Sequence, residues 1–151
     1  MDIRIYKKLP ENVLEGVQIV HACVFEGDRL KPEKLNKPQL LMLVSFDKGR
    51  VTGFKFGYEH EDGVFYSWLG GVHPDDQGRG IARALMEKQH KICRQKGYTK
   101  VRTYSRNTKK AMIILNIKSG FDIISTFVDH KGRHKIVMEK DLIEKEALAE
   151  G

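Results

Sequence analysis

Only two cysteines occur in the 151 residues, Cys23 and Cys93. They lie far apart, outside any C-x-x-C spacing and without paired histidines, which argues against a disulfide framework and against a metal site. They read as free thiols in a reducing compartment. No apolar run approaches the roughly 18 to 20 residues that a membrane span requires. The stretch "MDIRIYKKLPENV" lacks the apolar core and the cleavage site of a signal peptide, so a cytoplasmic location without a membrane partner is expected. Internal repeats and low-complexity tracts are missing as well. No basic arm or aromatic-interleaved patch gathers the lysines and arginines, which disfavours nucleic acid as a partner.

What remains is the composition of an ordinary globular chain, 40% hydrophobic and 31% charged. A chain of this size can bury most of its apolar surface around a single core, so one domain over residues 1–142 with a short tail at 143–151 is expected. The formal net charge of +7 favours an anionic partner, whether nucleic acid, a membrane surface or a phosphate-bearing cofactor. Charge sign alone does not choose among them.

Along the chain the hydrophobic period alternates between two values. A short strand from Arg4 precedes "PENVLEGVQIVHACVF", where Val13, Val17, Val20 and His21 recur at helical spacing. Residues 31–39 carry two prolines and read as a connection. "LLMLVSF" and "RVTGFKFGYEH" flank "DKG", and "VFYSWLGGV" follows "EDG", which predicts a three-stranded antiparallel meander. A long helix from about Arg79 to Gln95 places Ile81, Leu85, Ile92 and Cys93 on one face and stops at Gly97. "KVRTYSR" restores strand character. "NTKKAMIILNIKSG" reads as a helix capped by Asn107 and apolar nearly all round, which implies burial on several sides. "FDIISTFVD" and "RHKIVMEKDL" form a last hairpin, and the acidic tail reads as a fraying helix or disorder.

The most informative stretch is "GGVHPDDQGRGIARALMEKQH", residues 70–90. A strand passes through a glycine-containing turn directly into a helix. The first amides of a helix have no intrahelical acceptor and the helix dipole adds positive potential, so this arrangement is an anion site with phosphate as its default guest. Gly78 and Gly80 let backbone approach the ligand, while Arg79 and Arg83 add charge at its edge. Neither G-x-x-x-x-G-K-[ST] nor G-x-G-x-x-G fits here. "QGRGIA", Gln77 to Ala82, does fit Q/R-x-x-G-x-G/A.

That hexapeptide resembles the acyl-CoA pyrophosphate signature of the GNAT superfamily of N-acyltransferases. "GGVHP" resembles the end of the family's fourth strand, and "LNIKSGF" (115–121) resembles its late "LYEKxGF" motif. The order of elements over about residues 1–142 is similar too. The resemblance implies an α/β (α+β) fold, the GNAT acyl-CoA N-acyltransferase fold, with a mixed, mostly antiparallel seven-stranded sheet flanked by about four helices. It implies strands four and five splayed at a bulge, for which Gly70 and Gly71 are the candidates. Main-chain groups of Leu69 to His73, with Gly71, Val72 and His73 the binding candidates, would face the pantetheine arm and polarise the thioester carbonyl. The amides of Gln77, Gly78, Arg79, Gly80, Ile81 and Ala82, with Arg83 nearby, would hold the pyrophosphate.

The implied reaction is direct transfer of an acetyl group from acetyl-CoA to a primary amine in a ternary complex. No metal is implied, and a homodimer paired through a strand edge is compatible with the family. An ammonium must lose a proton before it attacks, and a thiolate leaves. The family's "LYEKxGF" tyrosine is Asn116 here, which cannot serve as a proton donor, so Tyr104 is the substitute candidate, with packing as its other reading. The fourth-strand glutamate of some members is replaced by Tyr66, which stands at that catalytic position. Glu59, His60 and Glu61 are the remaining base candidates, Glu59 foremost, although three adjacent polar residues before a glycine more often form a solvated hairpin end. His73 either contacts ligand or caps the turn, and Asn107 either faces CoA or caps the last helix. Tyr66 and Trp68 share one strand face, with Phe65 and Leu69 on the other. The acidic run "EHED" hints at a cationic acceptor. Because the tyrosine and the glutamate are absent, a non-catalytic acyl-CoA-binding sensor or regulatory module is the alternative.

Overall fold

The computed structural model describes residues 1–143, and the tail expected to fray, from 144 onward, lies outside them. Three helices form where the apolar residues recur at helical spacing: α1 (Glu11–Val24), α2 (Ile81–Gln95) and α3 (Lys110–Lys118). Period-two segments form β1 (Asp2–Tyr6), β2 (Leu41–Asp47), β3 (Arg50–Glu61), β4 (Val64–Val72), β5 (Lys100–Arg106), β6 (Asp122–Val128) and β7 (His134–Asp141). All seven strands join one sheet in the order β1-β2-β3-β4-β5-β7-β6. Every neighbouring pair is antiparallel except β4 and β5, whose parallel pairing requires the crossover that α2 supplies. The expected mixed sheet is present, with three α-helices and two 3-10 turns, Pro32–Lys34 and Pro74–Asp76, beside it.

Helix α1 packs Val13, Val17 and Val20 onto one face of the sheet, against Met42, Val44, Phe54 and Phe56. Helices α2 and α3 cover the other face, where Leu85, Met86, Cys93 and Ile113 meet Leu43, Phe65, Val101 and Met138. Each such side chain contributes roughly 1.5 to 3 kcal/mol by burial, a sizeable part of a net stability of about 5 to 15 kcal/mol. Between β2 and β3 the chain reverses on Lys48 (φ 51°) and Gly49 (φ 79°), two consecutive left-handed residues that define a tight primed turn.

Three local expectations change. The second helix begins at Ile81 rather than Arg79, because Gly80 sits at φ 77° and ψ 13°, a left-handed conformation that no α-helix contains. The third begins at Lys110 with Lys109 as its cap residue, so Asn107 caps nothing: its Oδ1 accepts from Lys110 Nζ at 3.1 Å. That helix is also buried on one side only, through Ile113 and Asn116, while Ile114 and Ile117 stay about half exposed. Apolar content alone does not reveal how many sides of a helix find a neighbour.

The bulge in β4 lies at Trp68, not at Gly70 or Gly71. Phe56 of β3 pairs with Leu69 and Gly57 with Ser67, so Trp68 is the unpaired extra residue. One extra residue exchanges the two strand faces beyond it. Phe65 faces α2, yet Leu69 joins Trp68 in the α1-side cluster, while Val72 packs on the α2 side. Gly70 therefore faces α2 and Gly71 faces α1, where a Cβ would lie 2.6 Å from Val24 Cγ2.

Candidate active site

Strands β4 and β5 pair only through Val64–Lys100, Phe65–Val101 and Tyr66–Arg102. Past that point they diverge, with the Thr103 hydroxyl still donating to the Ser67 carbonyl at 3.1 Å. Two connected clefts open where the backbones part. The larger, about 720 Å³, is bordered by Gly70, Gly71 and Val72, by Gln77, Gly78 and Ala82 at the start of α2, and by Thr108, Lys109 and Lys110 on the opposite wall. The smaller, about 320 Å³, is bordered by Tyr66, Trp68, Tyr104, Arg106, Asn116 and Lys135. Val24, Lys55, Gly70, Met86, Lys109 and Met112 border both, so the two form one slot through the sheet.

At the wide end Gly78 (φ 79°) and Gly80 (φ 77°) are both left-handed, and a Cβ on either would meet nothing within 4 Å. The demand for glycine is therefore conformational, and the space over the turn is open. Among the described residues the amides from Gly78 to Arg83 have no backbone acceptor, and the first helical bond is Ala84 N–H to the Gly80 carbonyl at 3.0 Å. The N-terminus of α2 presents uncompensated donors to the larger cleft.

The arginines of the turn do other work. Asp76 is almost fully buried, and its carboxylate accepts from Arg50 at 2.8 and 2.9 Å and from Arg79 at 2.9 Å. The Arg50 hydrogen bonds, with both guanidinium charges, hold its carboxyl below the usual carboxylate range. Arg79 also reaches Asp47 at 3.1 Å, so its guanidinium braces the turn against the β2-β3 hairpin instead of facing the cleft. Arg83 pairs with Glu87 at 3.0 Å on the exposed side of α2. Ile81 is a core residue, and only its backbone faces the turn. His73 follows the capping alternative: its Nδ1 accepts from Asp75 N–H at 3.1 Å.

The catalytic candidates separate. Tyr66 and Tyr104 meet edge to face at 5.2 Å in the smaller cleft, with Tyr58 and His60 on the far side of Tyr66. Burial raises the Tyr66 phenol above its ordinary range, so it is neutral and no base. Glu59 borders neither cleft. It pairs with Phe65 on the α2 face of β3, near Tyr98, because strand alternation turns it away from Tyr58 and His60. Glu61 lies 3.8 Å from Arg102. Asn116 is buried at the smaller cleft with its amide 3.7 Å from Met138 Sδ, and Asn107 borders neither cleft. Cys93, its thiol pushed up to about 12 by burial, is no nucleophile.

Sequence reasoning missed Lys55, Lys109, Lys110 and Lys37. Lys37 rests its ammonium 5.6 Å from the Tyr58 ring and 5.5 Å from the Trp68 ring. None of these lysines lies in a motif, and only the "KK" before the helix offered a signal. No group of His, Cys, Asp or Glu among the described residues could hold a metal ion, and no described helix is long and apolar enough to cross a membrane.

Comparison with known proteins agrees with this geometry. The acetyltransferase (GNAT) domain family matches residues 38–123. An acetyltransferase of Sodalis glossinidius is 31% identical over 133 residues, 82% of this chain and 88% of the relative. One from Pectobacterium atrosepticum is 33% identical over 93 residues, 60% and 64% of the two chains. Among solved structures, an aminoglycoside 6'-N-acetyltransferase complexed with coenzyme A superposes with a TM-score of 0.80 at 11% identity, covering 95% of this chain and 98% of that one. The ribosomal-protein-S18-alanine N-acetyltransferase of Escherichia coli gives 0.75 at 17% identity, covering 95% and 96%. A sheet splayed between its parallel strands, a glycine turn at a helix N-terminus and the matching family together identify the chain as a member of the GNAT acetyltransferases.

Proposed function

We propose that this acetyltransferase moves the acetyl group of acetyl-CoA to a primary amine of a small molecule or protein by direct attack in a ternary complex. The observation that carries the reading is the slot between β4 and β5, which ends at the uncompensated amides of α2. Pyrophosphate oxygens would accept from those amides, with Lys109 and Lys110 neutralising charge from the opposite wall. The pantetheine arm would run beside Gly70 to Val72, and a β4 amide would donate to the thioester carbonyl as negative charge develops there.

The acceptor would enter beside Tyr66, Trp68 and Tyr104. Among the described residues no carboxylate borders the smaller cleft, whereas Lys55, Arg106, Lys109 and Lys135 do. This positive, partly enclosed lining lowers the pKa of an entering ammonium and enlarges its reactive free-base fraction, so removal of its last proton by water suffices. The same lining suits an acceptor that carries an anionic group beside its amine better than the polycation hinted at by "EHED", whose acids lie outside the slot.

The test is thiol release from acetyl-CoA across a panel of amines, amino acids and peptides, with mass spectrometry of the product. Free CoA that appears only with an amine present supports the proposal. Binding of acetyl-CoA without turnover on any amine would favour the acyl-CoA-binding module instead.

A further inference from the structure

An inward-facing lysine on a central strand calls for an account of what its ammonium meets. On β3, a Cβ on Gly53 would lie 3.3 Å from Ile81 Cγ2 and one on Gly57 would strike the Phe65 ring, so both face α2. Lys55, between them, is the one side chain on that stretch of the face. Its partner in register is Gly70 of β4. A Cβ there would lie 3.6 Å from Lys55 Cγ and 3.8 Å from Nζ, which places the lysine stem across the bare backbone of Gly70. Lys55 borders both clefts where they join, opposite Met86 of α2 and Met112 of α3.

Nothing among the described residues neutralises this ammonium. Burial alone lowers its pKa from 10.5 to about 8, with no carboxylate contributing. The titratable group facing it from α2 is His90, kept neutral by its own burial and by Lys140, Lys55 and Arg94. From β7, Lys140 Nζ is 3.3 Å from His90 Nδ1. Lys109, which borders the same junction, is already bonded to the Val24 carbonyl at 3.4 Å. Lys55 is thus a proton carrier aimed at the junction where donor and acceptor would meet.

We infer that Lys55 is the acid that protonates the departing CoA sulfur, an inference that rests on the acetyl-CoA reading above. The amine nitrogen bonds to the thioester carbonyl carbon, and the oxyanion collapses. The carbon–sulfur bond then breaks with its electron pair on sulfur. That sulfur takes a proton from Lys55 Nζ, the proton shed by the amine passes to water, and Lys55 is reprotonated from solvent. Proton transfer is efficient when donor and acceptor have similar pKa values, and a thiol lies near 8.5.

The experiment compares wild type with Lys55→Met and Lys55→Arg by two readouts. The first needs no turnover: the ultraviolet absorbance of the bound CoA thiolate is followed with pH. In wild type and Lys55→Arg the bound thiol should titrate about one unit or more below its value in Lys55→Met, because only the first two place a cation beside it. The second is kcat, expected to fall about 100-fold or more in Lys55→Met. Wild-type kcat should also decline above about pH 8, a decline lost in Lys55→Arg, whose side chain stays protonated. An identical thiol titration in wild type and Lys55→Met, or kcat within a few-fold, overturns the assignment while leaving CoA binding intact. An acetyl group found on Lys55 after incubation with acetyl-CoA overturns it too. Absence of CoA binding altogether brings down the acetyl-CoA reading itself.

Discussion

Gly78 borders the larger cleft at φ 79°, with open space where a side chain would begin. Asparagine and aspartate tolerate a left-handed backbone better than other side chains, so either replacement should cost the fold less than the roughly 1 to 2 kcal/mol expected for an ordinary residue. The two differ by one charge. A carboxylate about 5 Å from a phosphate charge is repelled by about 0.8 kcal/mol at the dielectric of water and about 3 kcal/mol at an effective value near 20. Gly78→Asp should therefore bind CoA roughly 4- to 150-fold more weakly than Gly78→Asn, which should stay within about threefold of wild type. Titration calorimetry at low ionic strength measures this directly, and the gap should narrow as salt screens the charges. Equal affinities for the two variants would mean that no phosphate lies at the turn.

His90 is 2% exposed, with its pKa pushed down to about 3 by burial first and then by Lys140, Lys55 and Arg94. The unfolded chain takes up this proton near pH 6.5 and the folded one does not, so stability falls with pH below 6.5, by about 1.4 kcal/mol per unit until about pH 3. Urea denaturation at pH 6.5 and pH 5 should show wild type losing about 2 kcal/mol more than His90→Gln; equal losses would show that His90 protonates freely in the native state. Gly71→Ala drives a Cβ to 2.6 Å from Val24 Cγ2 and should destabilise by about 1 to 3 kcal/mol, with the double variant carrying Val24→Ala recovering most of it. Unchanged urea midpoints in the single variant would place α1 further from β4 than described.

The glycine turn before α2 was legible because it is local. Gly78 and Gly80 need their left-handed angles whatever surrounds them, and the amides that follow are uncompensated in any helix that starts there. Glu59 and Arg79 show where local reading stops. Arg79 stands inside the signature, but the buried Asp76, held also by Arg50 from another strand, claims its side chain. Glu59 lies close in sequence to the aromatic wall, yet a strand puts neighbouring residues on opposite faces.

Local signals therefore determined the elements of this protein, the family and the glycine turn that opens α2: apolar period, turn glycines and helix-start amides all act within a few residues. Tertiary structure decided the interior of the slot. The extra residue at Trp68 exchanges the strand faces, turns Gly70 toward α2, and lets Lys55 lie across it from the neighbouring strand. Which face a residue takes depends on a register set by its partner strand, and no pattern within "GFKFG" or "SWLGG" records that pairing.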